Sequence, residues 1–252
     1  MAITIKSERE IELMAEAGKI LERVHNELEK ALHPGMSTKD IDTLGEKIIR
    51  SYGCIPSFLN YNGYPASICV SVNQEVVHGI PDKHRIIHEG DIVSLDAGVI
   101  YKGYHSDAAR THAVGEVSEE AKKLIQVTKE CFFEGIKYAK AGNHLFDISG
   151  AIGRYAEERG YGVVRDLCGH GIGTALHEAP EIPNYEVGRK GVKLRPGMTL
   201  AIEPMINIGT YEVDWLDDDW TVVTRDGSLS AHYENTILIT DGEPEILTLY
   251  RE

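Results

Sequence analysis

The amino-acid sequence predicts an α+β fold made of two halves that repeat each other. The first observation behind this prediction is the order of elements, because helical periodicity gives way to short β-rich runs and the same order then starts again. The second is the recurrence of short motifs in the two β-rich parts. We therefore expect a single domain over 1–252 with internal pseudo-two-fold symmetry and halves at about 1–116 and 117–252.

Two helices and a group of strands are predicted for each half. Ser7 with Glu10 has the spacing of a capping box before the first helix, and Ser37 can cap the second. The strands of the first half are predicted in the runs SICVSV, DIVSLDAGVI and DAARTHAV. In the second half, Ser118 starts a long helix that we expect to end at Gly142.

The rest of the second half follows the same plan. A further helix is predicted from about 145 to Gly160. Strands are then predicted in the runs GVVRD, MTLAIEPMI, WTVVT, NTILIT and EILTLY.

The repeat extends to individual residues. The tripeptide His-Gly-Ile occurs at 78–80 and again at 170–172, and the segments that follow align so that Asp96 matches Glu203. A duplicated half that closes on its twin would place these two acids on symmetric central strands. Two unrelated glycine-turn-strand units are the alternative explanation.

Charge and cysteine content exclude several classes of function. The chain has 26 basic and 40 acidic residues, a net charge of −14, and no Lys/Arg cluster, so we expect no nucleic-acid specificity and no membrane contact. The four cysteines form no Cys-x-x-Cys pair, which argues against a disulfide scaffold and a thiolate zinc site. The charged N-terminal segment lacks the apolar run of a signal peptide, so we expect none. We expect a cytoplasmic protein.

Three acidic residues lie where the pattern predicts buried strands. Asp96, Glu203 and Glu234 interrupt or border apolar runs that contain no basic residue. A buried carboxylate is costly unless it is protonated, paired or bound to a metal. Any one of them could accept hydrogen bonds at a strand end, but three in one domain favour a shared role.

A fourth acid, Asp107, follows Asp96 after 11 residues. This spacing allows a strand, a hairpin turn at Lys102 and Gly103, and a return strand, which would set the two aspartates side by side. An ion pair between Asp107 and Arg110 is the alternative.

His170 adds a candidate neutral ligand, although a histidine in a glycine-rich segment also suits a surface loop. Four carboxylates and one imidazole are too many ligands for one tetrahedral zinc, so they favour two divalent ions that share bridging carboxylates. Co, Mn, Fe and Zn all suit these ligands. A single non-haem iron bound by His105, Asp107 and His170 is the alternative, and it leaves the other acids unexplained.

As an ordered set, the motifs of this chain resemble those of the type I methionine aminopeptidases, a family with the duplicated pita-bread (creatinase/aminopeptidase) fold. The resemblance covers essentially the whole chain. It rests on His78-Gly79-Ile80-Pro81, Asp96-Ala97-Gly98, Ser106-Asp107, Gly169-His170-Gly171-Ile172-Gly173, Leu176-His177-Glu178, Ala201-Ile202-Glu203-Pro204-Met205 and Tyr233-Glu234.

By position, the resemblance implies three sets of residues. The implied metal ligands are Asp96, Asp107, His170, Glu203 and Glu234. The implied catalytic residues are His78, His177 and Glu203. The implied substrate-binding residues are His78, His177, Phe58, Tyr61, Tyr64, Cys69 and Trp220.

The activity implied is co-translational removal of the initiator methionine from nascent proteins whose second residue is small. Its partners would be nascent polypeptide N-termini, with the ribosome as a candidate contact and a monomer as the expected state. Three positions depart from the usual pattern of the family: Leu176 replaces an aromatic residue, Phe58 replaces a cysteine, and His232 replaces a glutamine.

Two other functions fit the same fold. An Xaa-Pro dipeptidase resembles a longer chain with an additional N-terminal domain, for which 252 residues leave no room. A metal-free binding module typically loses ligands, whereas all five are present here.

Overall fold

The computed structural model describes residues 3–249, and the helices within this range form two pairs as predicted. The capping box at the start of the first helix is present, because the Ser7 amide donates to Oε2 of Glu10 over 2.8 Å. No helix in this range has both the length and the apolar character that crossing a membrane requires. The helices are α1 (Glu8–Ala31), α2 (Thr38–Ser51), α3 (Glu119–Ile136) and α4 (Leu145–Glu157).

The two helices of the second half end earlier than the sequence predicts. Helix α3 ends at Ile136 and not at Gly142, because the following amides of Tyr138 and Ala139 bond to carbonyls three residues back and form turns. Helix α4 ends before Gly160 for the same reason. Gly142 and Gly160 have positive φ angles and end these turns. Each glycine therefore lies at the end of the turn that follows the helix, and not at the end of the helix itself.

The strands follow the predicted runs, although several of them are shorter. The EILTLY run extends to position 250, which lies outside the described residues. The strands are β1 (Ile55–Pro56), β2 (Ile68–Val72), β3 (Glu75–Val77), β4 (Ile92–Tyr101), β5 (Tyr104–Ala113), β6 (Gly162–Val163), β7 (Gly169–Gly171), β8 (Glu178–Ile182), β9 (Thr199–Ile202), β10 (Met205–Asn207), β11 (Val213–Trp215), β12 (Val222–Thr224), β13 (Ser230–His232), β14 (Glu234–Leu238) and β15 (Glu245–Ile246).

A nine-stranded antiparallel sheet joins the two halves. Its main path is β1-β4-β5-β14-β9-β7-β8, with β2 paired to β4 and β15 paired to β14. Strands β5 and β14 meet in the middle, and β4 and β9 flank them as symmetric neighbours. Helices α1 and α2 pack against the strands of the first half in one apolar core. Helices α3 and α4 pack against the strands of the second half in another. The predicted α+β class with two similar halves is confirmed.

The β4–β5 hairpin sets the two aspartates on neighbouring strands. Lys102 and Gly103 form its turn with positive φ angles, as the sequence predicts. In the register of this hairpin Asp107 pairs with Gly98, two residues beyond Asp96. Because residues two apart on a strand share a face, the two aspartates are diagonal neighbours on the same face of the sheet.

Arg110 does not pair with Asp107, so that alternative is wrong. Its guanidinium donates to Oδ1 of Asn235 over 2.7 Å and to the backbone carbonyl of Glu234. The same group lies 3.5 Å from a carboxylate oxygen of Glu22 on α1. Arg110 therefore joins β5, β14 and α1 and does not neutralise the Asp107 carboxylate.

Candidate active site

All twelve residues implied by the resemblance line one cavity of about 800 Å³. They come from both halves of the chain, and the acids lie at its base on the central strands. The cavity contains the apolar residues predicted to bind substrate as well as the acids and histidines.

Ligand atoms from three strands converge in this cavity. One atom each of Asp107, His170 and Glu234 lies within 4.8 Å of the other two. Nε2 of His170 is also 3.5 Å from Oε1 of Glu203, which directly follows β9. Asp96 completes the group through its contact with Asp107 on the neighbouring strand. The structure thus brings together the five side chains expected to bind metal.

Local backbone chemistry explains how two of these side chains reach the cavity. Strand β9 ends before Glu203 because the next residue, Pro204, has no amide hydrogen for the sheet. His170 lies between two glycines, and a Cβ atom at Gly169 would be 2.4 Å from the carbonyl oxygen of Ala201. Glycine at this position therefore lets β7 approach β9 closely enough for His170 to face the acids.

The acids are buried without enough partners. Oδ1 of Asp96, Oδ1 of Asp107 and Oε1 of Glu234 are buried and have no hydrogen-bond partner in the part of the chain that the structure describes. Within residues 3–249, the ion-pair contacts of the Asp107, Glu203 and Glu234 carboxylates involve only histidine side chains. Buried carboxylates in this state require protons or cations.

Burial is the main cause of the raised pKa values of these acids. It raises the pKa of Asp96 to about 7. The pKa values of Asp107, Glu203 and Glu234 are also well above their usual range, because burial and the neighbouring carboxylates both oppose ionisation. The metal-free cluster therefore retains protons that a divalent cation would displace.

His170 is present as a neutral imidazole with one free nitrogen. Burial lowers its pKa to about 3. Its Nδ1 lies 2.9 Å from the carbonyl oxygen of Gly171, to which it donates, so the lone pair on Nε2 faces Asp107 and Glu203. Carboxylate oxygens and one imidazole nitrogen, without thiolate, fit Mn, Fe, Co or Zn.

His177 lies beside this cluster and is fixed by Tyr61. Its ring is in edge contact with His170 at a centroid distance of 4.2 Å. The Tyr61 hydroxyl is 2.8 Å from Nδ1 of His177. Burial lowers the pKa of His177, which favours the neutral ring.

His78 and an aromatic group form the other wall of the cavity. His78 has a φ angle of 60° and faces the ring of Trp220 at 6.3 Å. Trp220 also makes an edge contact with Tyr64 at 5.1 Å, and the Tyr64 hydroxyl donates to the carbonyl of Gly79 over 2.9 Å. Burial lowers the pKa of His78 to about 4. This wall is rigid and largely apolar, and its histidine is neutral.

The alternative iron site is not formed by the residues it requires. Nδ1 of His105 lies 3.0 Å from the hydroxyl of Ser57. His105 does not line the cavity, and the third member of the close ligand group is Glu234.

Several residues at or behind the site had no role predicted from the sequence. His232 is only 2% exposed and lies within 4.0 Å of Glu203 and Glu234. In the sequence it was noted only because it replaces a glutamine of the family pattern. Asp166, Glu181 and Arg189 line the cavity from loops and an edge strand, where no periodicity or motif indicates a site.

The fold and the buried cluster of carboxylates and imidazole define the class of protein as a metal-dependent peptidase. The chain belongs to metallopeptidase family M24, whose model matches residues 12–241. It is similar to the methionine aminopeptidase of Clostridium acetobutylicum, with 60% identity over 98% of this chain and 99% of that protein.

Solved structures agree with this family. The crystal structure of methionine aminopeptidase from Thermotoga maritima has a TM-score of 0.96 and 47% identity, and the match covers 99% of this chain and 100% of that chain. The Xaa-Pro dipeptidase of Bacillus anthracis has a TM-score of 0.78 and 28% identity, and the match covers 98% of this chain but 62% of that longer chain. The resemblance and the pita-bread fold expected from the sequence are confirmed.

Proposed function

We propose that this enzyme is a methionyl aminopeptidase that removes the N-terminal methionine from nascent polypeptides whose second residue is small. The observation that carries the proposal is the convergence of four acids and one neutral imidazole at the base of a cavity with an apolar wall. The similarity to proteins named methionine aminopeptidase supports the choice of substrate.

Asp96, Asp107, His170, Glu203 and Glu234 would hold two divalent ions. Asp107 and Glu234 lie on β5 and β14 in the middle of the sheet, which suits a bridging role. Such ions would polarise the peptide carbonyl and lower the pKa of water. The carboxylate oxygens of the cluster would also attract the free α-ammonium group of the substrate.

The protein's own groups supply orientation and proton transfer. His177 would donate from Nε2 to the carbonyl oxygen as negative charge develops on it. Glu203 would take a proton from the attacking water and deliver it to the amide nitrogen as the C–N bond breaks. His78 would contact the scissile amide from the opposite wall.

The apolar wall would bind the methionine side chain. It consists of Phe58, Tyr61, Tyr64, Cys69 and Trp220, of which Phe58, Tyr64 and Cys69 are buried. Aromatic and sulfur-containing surfaces suit an unbranched thioether. His78 would crowd a large second residue, so Gly, Ala or Ser should fit.

The proposal includes a cytoplasmic enzyme that acts as a monomer at N-termini as they leave the ribosome. All four cysteines are unpaired, which suits a reducing compartment. The acidic net charge supports a polypeptide substrate over a nucleic acid.

A peptide series tests the proposed specificity. Peptides of sequence Met-X-Gly-Met, with free or acetylated N-termini, are incubated with the Mn²⁺-loaded enzyme and released methionine is measured. We expect release for X = Gly, Ala or Ser, at least about 100-fold slower release for X = Leu or Lys, as a steric clash of about 3 kcal/mol gives, and none from blocked peptides.

Three results would contradict the proposal. Equal rates for X = Ala and X = Lys would reject the small second residue, and turnover of acetylated peptides would reject the role of the free amine. Preference for X = Pro after any first residue would favour an Xaa-Pro dipeptidase. As a control, Tyr104→Phe changes an aromatic hydroxyl that bonds to Glu10 outside the cavity, and it should leave the profile unchanged.

A further inference from the structure

His232 is a buried histidine whose ring has no hydrogen-bond partner. It is 2% exposed, and neither Nδ1 nor Nε2 has a partner among the described residues. A neutral imidazole carries one N–H donor and one acceptor, and a buried polar group left unsatisfied is unfavourable. A buried imidazole without hydrogen bonds therefore requires an explanation.

Carboxylate oxygens of two expected metal ligands lie near this ring. Nε2 of His232 is 3.9 Å from Oε2 of Glu203 and 4.0 Å from Oε2 of Glu234. These separations exceed a hydrogen bond by under about 1 Å, a gap that rotation of a glutamate side chain can close. The ring position is set by β13, where His232 pairs with Met205 of β10, two residues after Glu203.

Other roles for the ring are less consistent with these contacts. His232 is not part of the close group formed by Asp107, His170 and Glu234. It also does not line the cavity, so it does not reach substrate. The ring therefore lies behind the carboxylates, where groups that orient metal ligands are found.

We propose that His232 is a positioning residue of the metal centre, whose Nε2–H donor orients the carboxylates of Glu203 and Glu234 for binding divalent ions. This inference rests on the metal site of the proposed function and extends it to a residue that contacts neither substrate nor metal. The proposed role also explains why position 232 has a polar ring. An apolar side chain there would leave no buried polar group unsatisfied.

The test compares Mn²⁺ affinity in His232→Leu, His232→Gln and wild-type protein by electron paramagnetic resonance of free Mn²⁺. Loss of a group that orients metal ligands typically weakens metal binding about 10- to 100-fold, and we expect this for the leucine variant. Glutamine retains an N–H donor, so that variant should bind within about threefold of wild type, a loss smaller than that of one neutral hydrogen bond.

Thermal unfolding in chelator separates positioning from folding. Because the leucine variant removes an unpartnered ring, its metal-free form should unfold at or above the wild-type temperature, and only the stabilisation by added Mn²⁺ should decrease. The matched control is His112→Leu, which removes another imidazole whose buried Nε2 has no partner among the described residues and whose Nδ1 lies 3.7 Å from Oε1 of Glu29 on α1. This control should keep wild-type affinity.

The possible failures are distinguishable. Equal Mn²⁺ affinity in the leucine variant and wild type would overturn the role of His232. An affinity loss in the glutamine variant as large as in the leucine variant would overturn the donor role, because the imidazole itself would then be needed. Wild-type protein that binds Mn²⁺ but releases no methionine would contradict the proposed function alone.

Discussion

The Tyr61 hydroxyl and Nδ1 of His177 are 2.8 Å apart, so a residue of the apolar wall holds the histidine expected to act on the carbonyl. The two rings also make an edge contact at 5.2 Å. A neutral imidazole that accepts the Tyr61 proton at Nδ1 carries its own proton at Nε2. With the Tyr61 hydroxyl as the donor, the contact favours the tautomer that can donate to a developing oxyanion.

Tyr61→Phe should lower kcat about tenfold, which is the effect of one neutral hydrogen bond, while KM changes little because the ring remains. Steady-state kinetics on Met-Ala-Gly-Met measures both constants. Tyr104→Phe is the control. A change in KM with kcat unaltered would show that the hydroxyl binds substrate and does not orient His177.

His177→Ala should lower kcat about 10²- to 10³-fold, because it removes a donor to the oxyanion. Mn²⁺ affinity should remain at the wild-type level, since His177 is not an expected ligand. Kinetics and metal titration on the same preparation check this pair of outcomes. Loss of bound metal in the variant would instead identify His177 as a ligand.

Asp107→Asn should weaken the binding of both ions, because the Asp107 carboxylate is expected to bridge them. Isothermal titration should show two sites in wild type and weaker binding at both in the variant. Asp166→Asn, which removes a carboxylate from the cavity outside the five expected ligands, is the matched control. A single wild-type site that is insensitive to Asp107 would contradict the dinuclear arrangement.

Metal-free protein should lose stability as pH rises above about 6.5, where histidine is neutral in both the folded and the unfolded state. The pKa of Asp96 is raised in the folded protein to about 7, above the value near 4 expected when unfolded, so the folded state binds more protons between these values. Its contribution is fully present below about pH 4 and is lost as pH rises through about 7. Asp107, Glu203 and Glu234 act in the same direction.

Urea unfolding in chelator from pH 6.5 to 8 measures this trend, because the buried histidines with lowered pKa values, such as His78 and His170, act in the opposite direction only below about pH 6.5. Saturating Mn²⁺ should restore stability at pH 7 to 8, by about 2.7 kcal/mol when the free ion is 100 times its Kd. Metal-free protein whose stability increases over this range would contradict the raised pKa values.

The sequence predicts the chemistry of the site better than its geometry. Asp96, Glu203 and Glu234 could be identified because acids in apolar β-rich runs contradict the expected burial, and this signal is local. The diagonal relation of Asp96 and Asp107 followed from the length of the hairpin. The helix ends in the second half could not be predicted, because turn and helix both end at glycine.

Contacts between distant segments remained hidden. Nothing in the sequence shows that His232 lies beside Glu203, since this depends on the pairing of β13 with β10. The partner of Arg110 was also missed, because its guanidinium reaches Asn235 on a strand from the other half of the chain. Such relations are set by the register of the whole sheet.

Strands β5 and β14 pair at the junction of the two halves, and each half contributes different residues to the site. Asp96 and Asp107 come from the first half, and His170, Glu203 and Glu234 come from the second, while the cavity wall combines Phe58, Tyr61, Tyr64 and Cys69 of the first half with Trp220 of the second. Recombination between relatives near residue 116 would keep every metal ligand and exchange only part of the wall. The fold thus allows specificity to vary by shuffling halves while the catalytic centre is inherited intact.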